Sequence, residues 1–149
     1  MLSWVALAFA LSAHAQDGST AADWSQHMGT YRAWRHSSLN SINSTNVKKL
    51  VPVWVFQTGD YEGGLQSTPI VMDGVMYVST SRNRVFALNA ATGQEIWRYV
   101  YPLPRSFQTF YGPWNRGVAV AAGKVFLGTL DNHMVALDQK TGRELWRTP

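Results

Sequence analysis

The sequence contains no cysteine. That excludes disulfides and thiolate metal sites, and it removes the lipidated cysteine of a bacterial lipoprotein, while leaving an oxidising compartment open. Charge is sparse at 15% of residues, and although the net charge of +4 and the pI of ≈ 9.6 point toward anions, Lys and Arg stand singly or in close pairs such as Lys48-Lys49 and Arg82 with Arg84. Without a basic run, nucleic acid is not an expected partner. Beyond the first 15 residues no apolar stretch approaches the length of a membrane span. Also missing are a Ser, His and Asp nucleophile set, a phosphate-binding P-loop and a dinucleotide fingerprint. His27, His36 and His133 have no ligand spacing, so no metal site is expected within this chain.

What is present is a globular composition, 46% hydrophobic and 13% aromatic with seven Trp. Residues 1–15 read as a signal peptide, an apolar run followed by the small-x-small pattern Ala13-His14-Ala15 before Gln16, atypical in lacking a basic residue ahead of that run. Residues 16–50 form a polar N-terminal connector in which Trp24, Tyr31 and Trp34 are isolated aromatic anchors. Thr45 to Leu50 predicts one helical turn capped by Ser44 or Thr45. Pro52-Val53-Trp54-Val55-Phe56 predicts a strand, closed by Thr58-Gly59, and Asp60 and Glu62 in the glycine-rich stretch that follows are expected to be solvated.

The strongest signal is a repeat. Ala87-Leu88-Asn89-Ala90-Ala91-Thr92-Gly93-Gln94-Glu95-Ile96-Trp97 returns as Ala136-Leu137-Asp138-Gln139-Lys140-Thr141-Gly142-Arg143-Glu144-Leu145-Trp146, an offset of 49. At that offset residues 71–99 lie over 120–148 without a gap, and 11 of the 29 pairs are identical. A fixed period of this size marks a repeat array, and each unit needs neighbours to bury its faces.

Each unit holds four short alternating or β-branched runs. In the first, Thr68 to Met72 and Val75 to Thr80 flank Asp73-Gly74, the strongest short hairpin signal, and Arg84 to Asn89 and Glu95 to Tyr99 flank a turn in which Gly93 supplies the positive φ. No room is left for a crossover helix. The prediction is an all-β fold, with residues 51–149 forming part of a β-propeller and blades near 67–99 and 117–148; a two-sheet sandwich is the alternative architecture. Between Val100 and Gly117 a long loop carries three prolines and five aromatics, and loops of that length are either functional or disordered. The aromatics favour order.

The doubled motif resembles the tryptophan-docking motif of quinoproteins, the eight-bladed propellers whose dehydrogenase members bind pyrroloquinoline quinone (PQQ). Asp23-Trp24, Ile42-Asn43, Asn46-Val47, Trp54 and Thr58-Gly59 resemble the N-terminal segment of the alcohol dehydrogenases among them, Ser67-Thr68-Pro69-Ile70-Val71 their first full blade, and Asn115-Arg116-Gly117 the start of the next. The resemblance implies the N-terminal portion of a periplasmic dehydrogenase that oxidises an alcohol, sugar or polyol and passes electrons to a cytochrome or quinone. Its Ca²⁺ ligands and catalytic aspartate would lie in later blades, so no catalytic or metal-ligating residue is expected here. Arg116 matches the family arginine beside the quinone's reactive carbonyl oxygens, and Gln66 stands where many members place an acidic contact. Phe110 and Tyr111 stand roughly where alcohol-oxidising members carry an adjacent Cys pair, a departure that weighs against a methanol or ethanol type.

The repeat makes Gln66 equivalent to Asn115 and Ser67 to Arg116, so all four are expected at channel-facing blade entrances and are the candidate cofactor contacts. Trp97, Trp146, Gly93 and Gly142 are expected to be docking residues. Two other readings use the same motif: a non-catalytic propeller scaffold of outer-membrane protein assembly, and a ligand-sensing propeller.

Overall fold

Asp73-Gly74 and Ala122-Gly123 both take positive φ at each of their two residues (51° and 74°, 49° and 71°). That is the mirror-image turn whose twist matches paired strands. Each joins the first two strands of a four-stranded antiparallel meander in the computed structural model, which describes residues 23–61 and 63–149. The first sheet is β1 (Ile70–Met72), β2 (Val75–Thr80), β3 (Arg84–Asn89) and β4 (Glu95–Val100) in that order; the second is β5 (Ala119–Ala121), β6 (Lys124–Gly128), β7 (Met134–Asp138) and β8 (Glu144–Thr148). The registers repeat at the sequence offset: Ala87↔Trp97 becomes Ala136↔Trp146, and the bulge after Ala87 recurs after Ala136.

The two sheets are stacked front to back. The face of the first sheet carrying Ile70, Tyr77, Val85, Ala87 and Trp97 packs on Val120, Val125, Leu127, Val135 and Leu137 of the second. By the repeat, those five correspond to Val71, Met76, Val78, Phe86 and Leu88, which lie on the other face of the first sheet. A head-to-tail contact of this kind can be extended indefinitely, and it closes into a ring when the rotation between units permits. This is the packing rule of a β-propeller, with β1 and β5 approaching each other at the inner edge.

Trp97 makes the seam. Its Nε1 donates to Gln139 O at 3.0 Å, and its ring lies so close over Gly142 that a Cβ there would sit 2.5 Å from Trp97 Cε3. Gly142 also needs its φ of 70° to close the turn, so two independent constraints fix it as glycine. The turn itself is held by Asp138, whose Oδ1 accepts from the backbone N of Lys140 and Thr141, and Asn89 does the same for Ala91 and Thr92. Only a side-chain oxygen is used, so Asn and Asp interchange. The other expected docking residue, Trp146, packs on Phe126 at 6.1 Å and is left 41% exposed.

Several local expectations are corrected. Pro52 to Phe56 joins no ladder; it runs extended across the back of the first sheet, where Trp54 Nε1 donates to Ala90 O at 3.1 Å, its ring covers Gly93, and Phe56 meets Phe86 edge-on at 5.3 Å. It thus repeats the Trp97 contact without strand pairing. The helical turn is a 3-10 turn over Val47–Lys49 and neither Ser44 nor Thr45 caps it; Asn43 and Asn46 organise it, Asn43 Oδ1 accepting from Thr45 N and Asn46 Oδ1 from Asn43 N. Trp24 is an anchor, bridging Val71 through both backbone hydrogen bonds, but Tyr31 and Trp34 are exposed. Asp60 is not solvated: its side chain is 1% exposed, accepts from Ser81 N and Oγ at 2.8 and 2.6 Å, and faces Arg84 at 3.4 Å. Glu62 and the expected signal peptide lie outside the described residues. No helix among the described residues is long and apolar enough to cross a membrane.

Candidate functional site

The four candidate contacts are brought to the adjoining mouths of the two sheets. Gly117, just ahead of β5, runs beside the backbone of Thr68, since a Cβ there would lie 3.5 Å from Thr68 O. Within this cluster the four side chains differ sharply in environment.

Asn115 is buried, and both ends of its amide are hydrogen-bonded. Its Nδ2 donates to Gly128 O at 2.9 Å and to Asn83 Oδ1 at 3.3 Å, while its Oδ1 accepts from Gly117 N at 3.1 Å. Both Nδ2 protons are taken, which leaves a ligand only the second lone pair of Oδ1. Its bonds bracket the next residue instead. Arg116 is exposed and makes no hydrogen bond or ion pair with any described residue. It lines a cavity of about 420 Å³ whose aromatic wall is Phe107, Phe110, Tyr111 and Trp114. Gln66 is exposed. Ser67 Oγ, by contrast, is buried and has no hydrogen-bond partner among the described residues, a state it shares with Ser25 Oγ, Ser79 Oγ and Asn83 Nδ2.

The long loop is ordered by specific contacts. Trp114 Nε1 donates to Gly63 O at 2.8 Å, and its ring is flanked by Gly63 and Gly112, where added Cβ atoms would meet it at 2.5 and 3.0 Å. Arg82 N donates to Pro113 O, and Phe107 N closes a turn onto Pro104 O. Phe110 and Tyr111 stack edge-to-face at 4.9 Å and stay largely exposed. The loop thereby becomes a wall of the cavity rather than a free linker. The sequence left the loop as either functional or disordered, with its aromatics favouring order, and did not point to Asn83, a fully buried side chain whose Oδ1 accepts from both Asn115 Nδ2 and Leu130 N. Its recurrence as Asn132 at the repeat offset was the available signal.

A flat anionic quinone fits these residues: an aromatic-walled cavity at the low end of the size range of ligand pockets, an unpaired guanidinium on its rim and an orphaned hydroxyl at the neighbouring blade mouth. Among the described residues no group of three His, Cys, Asp or Glu is placed to hold a metal. His133 instead turns Nδ1 toward Asp131 O at 3.0 Å.

Stacked four-stranded meanders joined by a Trp-on-Gly seam define a propeller of the quinoprotein kind. The model of a protein family described as glucose/ethanol/alcohol dehydrogenase, beta-propeller domain, matches residues 24–148. The chain belongs to that family. A quinoprotein ethanol dehydrogenase from Pseudomonas aeruginosa is 44% identical over 112 residues, covering 74% of this chain and 18% of that protein. A 1-butanol dehydrogenase (quinone) from Thauera butanivorans is 42% identical over 111 residues, 74% of this chain and 18% of the relative. The crystal structure of a quinohemoprotein alcohol dehydrogenase from Comamonas testosteroni superposes with a TM-score of 0.78 at 39% identity, over 85% of this chain and 19% of that one. The chain therefore spans less than a fifth of the length of these relatives.

Proposed function

We propose that this chain is the N-terminal portion of an exported, periplasmic, eight-bladed dehydrogenase that oxidises an alcohol, sugar or polyol, with PQQ as cofactor and Ca²⁺ held by later blades. The bound quinone would supply the hydride-accepting ortho-dicarbonyl. The reading is supported by family membership and rests chiefly on Arg116, a guanidinium with no partner among the described residues at an aromatic-walled cavity. Such a group stabilises negative charge developing on a quinone oxygen, since it is always charged and its donors are already positioned. Ser67 Oγ is available as a further donor, and exposed Gln66 can offer an amide to a carboxylate rim. Asn115 is assigned a positioning role, holding the Arg116 backbone from both sides. Relatives named for ethanol and 1-butanol make small alcohols the first substrates to try. A cytochrome or quinone would take the electrons onward.

The test is Arg116→Gln in the full-length protein that carries this chain. Quinone affinity measured by calorimetry is expected to fall at least tenfold, the loss expected for a charge-assisted hydrogen bond, and dye-linked alcohol oxidation with it. Unchanged quinone affinity would overturn the assignment. As a control, the 149-residue chain alone with quinone and Ca²⁺ is expected to show no turnover.

A further inference from the structure

A second cavity adjoins the one at Arg116 and shares with it Phe107, Gln108, Thr109 and Leu130. It measures about 390 Å³, and the residues that line it and not the first are Arg82, Leu103, Arg105 and Pro113. Arg82 is a fixed part of that wall: its Nη2 donates to Pro104 O at 2.7 Å and its backbone N to Pro113 O at 2.8 Å, at a left-handed φ of 55°. Arg105 lies in the turn that Phe107 N closes onto Pro104 O, is exposed, and makes no hydrogen bond or ion pair with a described residue. Gln108 and Thr109 add neutral donors. Among the described residues no carboxylate lines either cavity. Of the described acidic residues in the neighbouring turns, Asp60 is held by Ser81 and Arg84 among others, and Asp131 by Thr129 and Tyr101. Arg105 and Arg116, the two guanidiniums here with no described partner, stand at two connected, loop-walled chambers and focus a positive potential on a space the size of a small molecule.

We infer that the cavity between Arg82, Arg105, Gln108 and Thr109 is a carboxylate subsite beside the Arg116 chamber. Resting on the dehydrogenase reading, it would take the acid end of a hydroxy-acid substrate whose carbinol reaches the neighbouring chamber. A forked guanidinium matches a carboxylate with two parallel hydrogen bonds, and the chamber is too small for a polyanion chain. A carboxylate can come from the substrate or from the rim of the quinone itself, and the experiment separates the two.

The experiment compares 4-hydroxybutyrate with 1-butanol, matched in length and differing in charge, on the quinone-loaded full-length protein and its Arg105→Ala variant. Arg105 is an exposed loop residue with no partner among the described residues, so the variant is expected to fold. In the variant the KM for 4-hydroxybutyrate is expected to rise about tenfold with kcat retained, the KM for 1-butanol to stay unchanged, and the gap to shrink in high salt. Calorimetric titration of the same proteins with 4-hydroxybutyrate and with PQQ gives a readout independent of turnover. Weaker 4-hydroxybutyrate with unchanged PQQ assigns the subsite to the substrate; weaker PQQ with unchanged 4-hydroxybutyrate keeps the carboxylate site and assigns it to the cofactor. If neither affinity moves, the inference is wrong, even where Arg116 proves necessary. If the wild type binds 4-hydroxybutyrate through Arg105 yet oxidises no alcohol, the dehydrogenase reading fails and the subsite stands.

Discussion

Trp97 and Trp146 occupy the same position of the same motif, in the same register, with the same Glu and Arg flanking them, Glu95 with Arg98 and Glu144 with Arg147. Trp97 is 7% exposed and Trp146 41%. Nothing inside either blade accounts for the difference. Trp97 is buried because the Gly142 turn of the following sheet receives it, and no described residue does this for Trp146. The motif therefore specifies a donor and an acceptor, and the seam exists only between two copies. Met134, 43% exposed where its equivalent Val85 is fully buried, shows the same asymmetry beyond the tryptophan.

The comparison is tested first by truncation. In this chain Trp97→Ala is expected to cost about 3–5 kcal/mol, as for other buried aromatics, and Trp146→Ala about 1 kcal/mol or less. Urea unfolding midpoints check both. In the full-length protein, if a further blade docks on this face as proposed, the cost of Trp146→Ala should climb to that of Trp97→Ala. Equal costs in the present chain would show that the tryptophans stabilise their own sheets rather than the seam.

A smaller effect separates the two demands on the acceptor glycine. Gly123 and Gly142 have nearly the same φ, 71° and 70°, but only Gly142 has an indole where a Cβ would go. Gly123→Ala should cost about 1 kcal/mol, the left-handed penalty alone. Gly142→Ala should cost about 3 kcal/mol, because overpacking against the ring is added. Similar losses from the two, measured by thermal or urea unfolding, would mean that the ring slides away and that the close approach of Trp97 is not required.

The ladder was legible in the sequence because its causes are local. Alternation, the Asp-Gly hairpin and the Asn or Asp capping of the Thr-Gly turn each act within a few residues, and the strands observed start and end close to where those signals put them. What failed depended on partners far along the chain. Asp60 sits among glycines and reads as solvated, yet Ser81 and Arg84 bury it. Val53 and Val55 favour a strand, but a strand needs a neighbour, and the Pro52 to Phe56 segment has a sheet face beneath it instead of an edge beside it. At the candidate site the repeat offset does not carry environment with it: Asn83 Oδ1 and Gly128 O take both amide protons of Asn115, while Gln66 stands in solvent. The resemblance singled out Arg116, whereas the cavity beside it depends on how glycines 63 and 112 seat Trp114.

The smallest effect concerns the other end of the same seam, where Tyr101 OH donates to Asp131 Oδ2 at 2.8 Å. Burial works to raise the carboxyl of Asp131, but hydrogen bonds from Thr129 and Tyr101 outweigh it and leave the group below its ordinary 3.8. A carboxylate lowered in this way contributes stability above its unfolded value, and the contribution disappears as the pH falls through the folded one. Tyr101→Phe removes one of the two donors, so the folded value should rise toward 3.8, and the variant should be less stable at pH 7 by about 1 kcal/mol, the usual scale of one such bond. Wild type and variant should then converge below about pH 4, where the wild type loses the same term. The sign matters more than the size. A gap between their urea midpoints that stays constant from pH 7 to pH 3 would show that Tyr101 closes the seam by packing its ring, as Trp97 does at the far end, and that the polar contact with Asp131 is incidental.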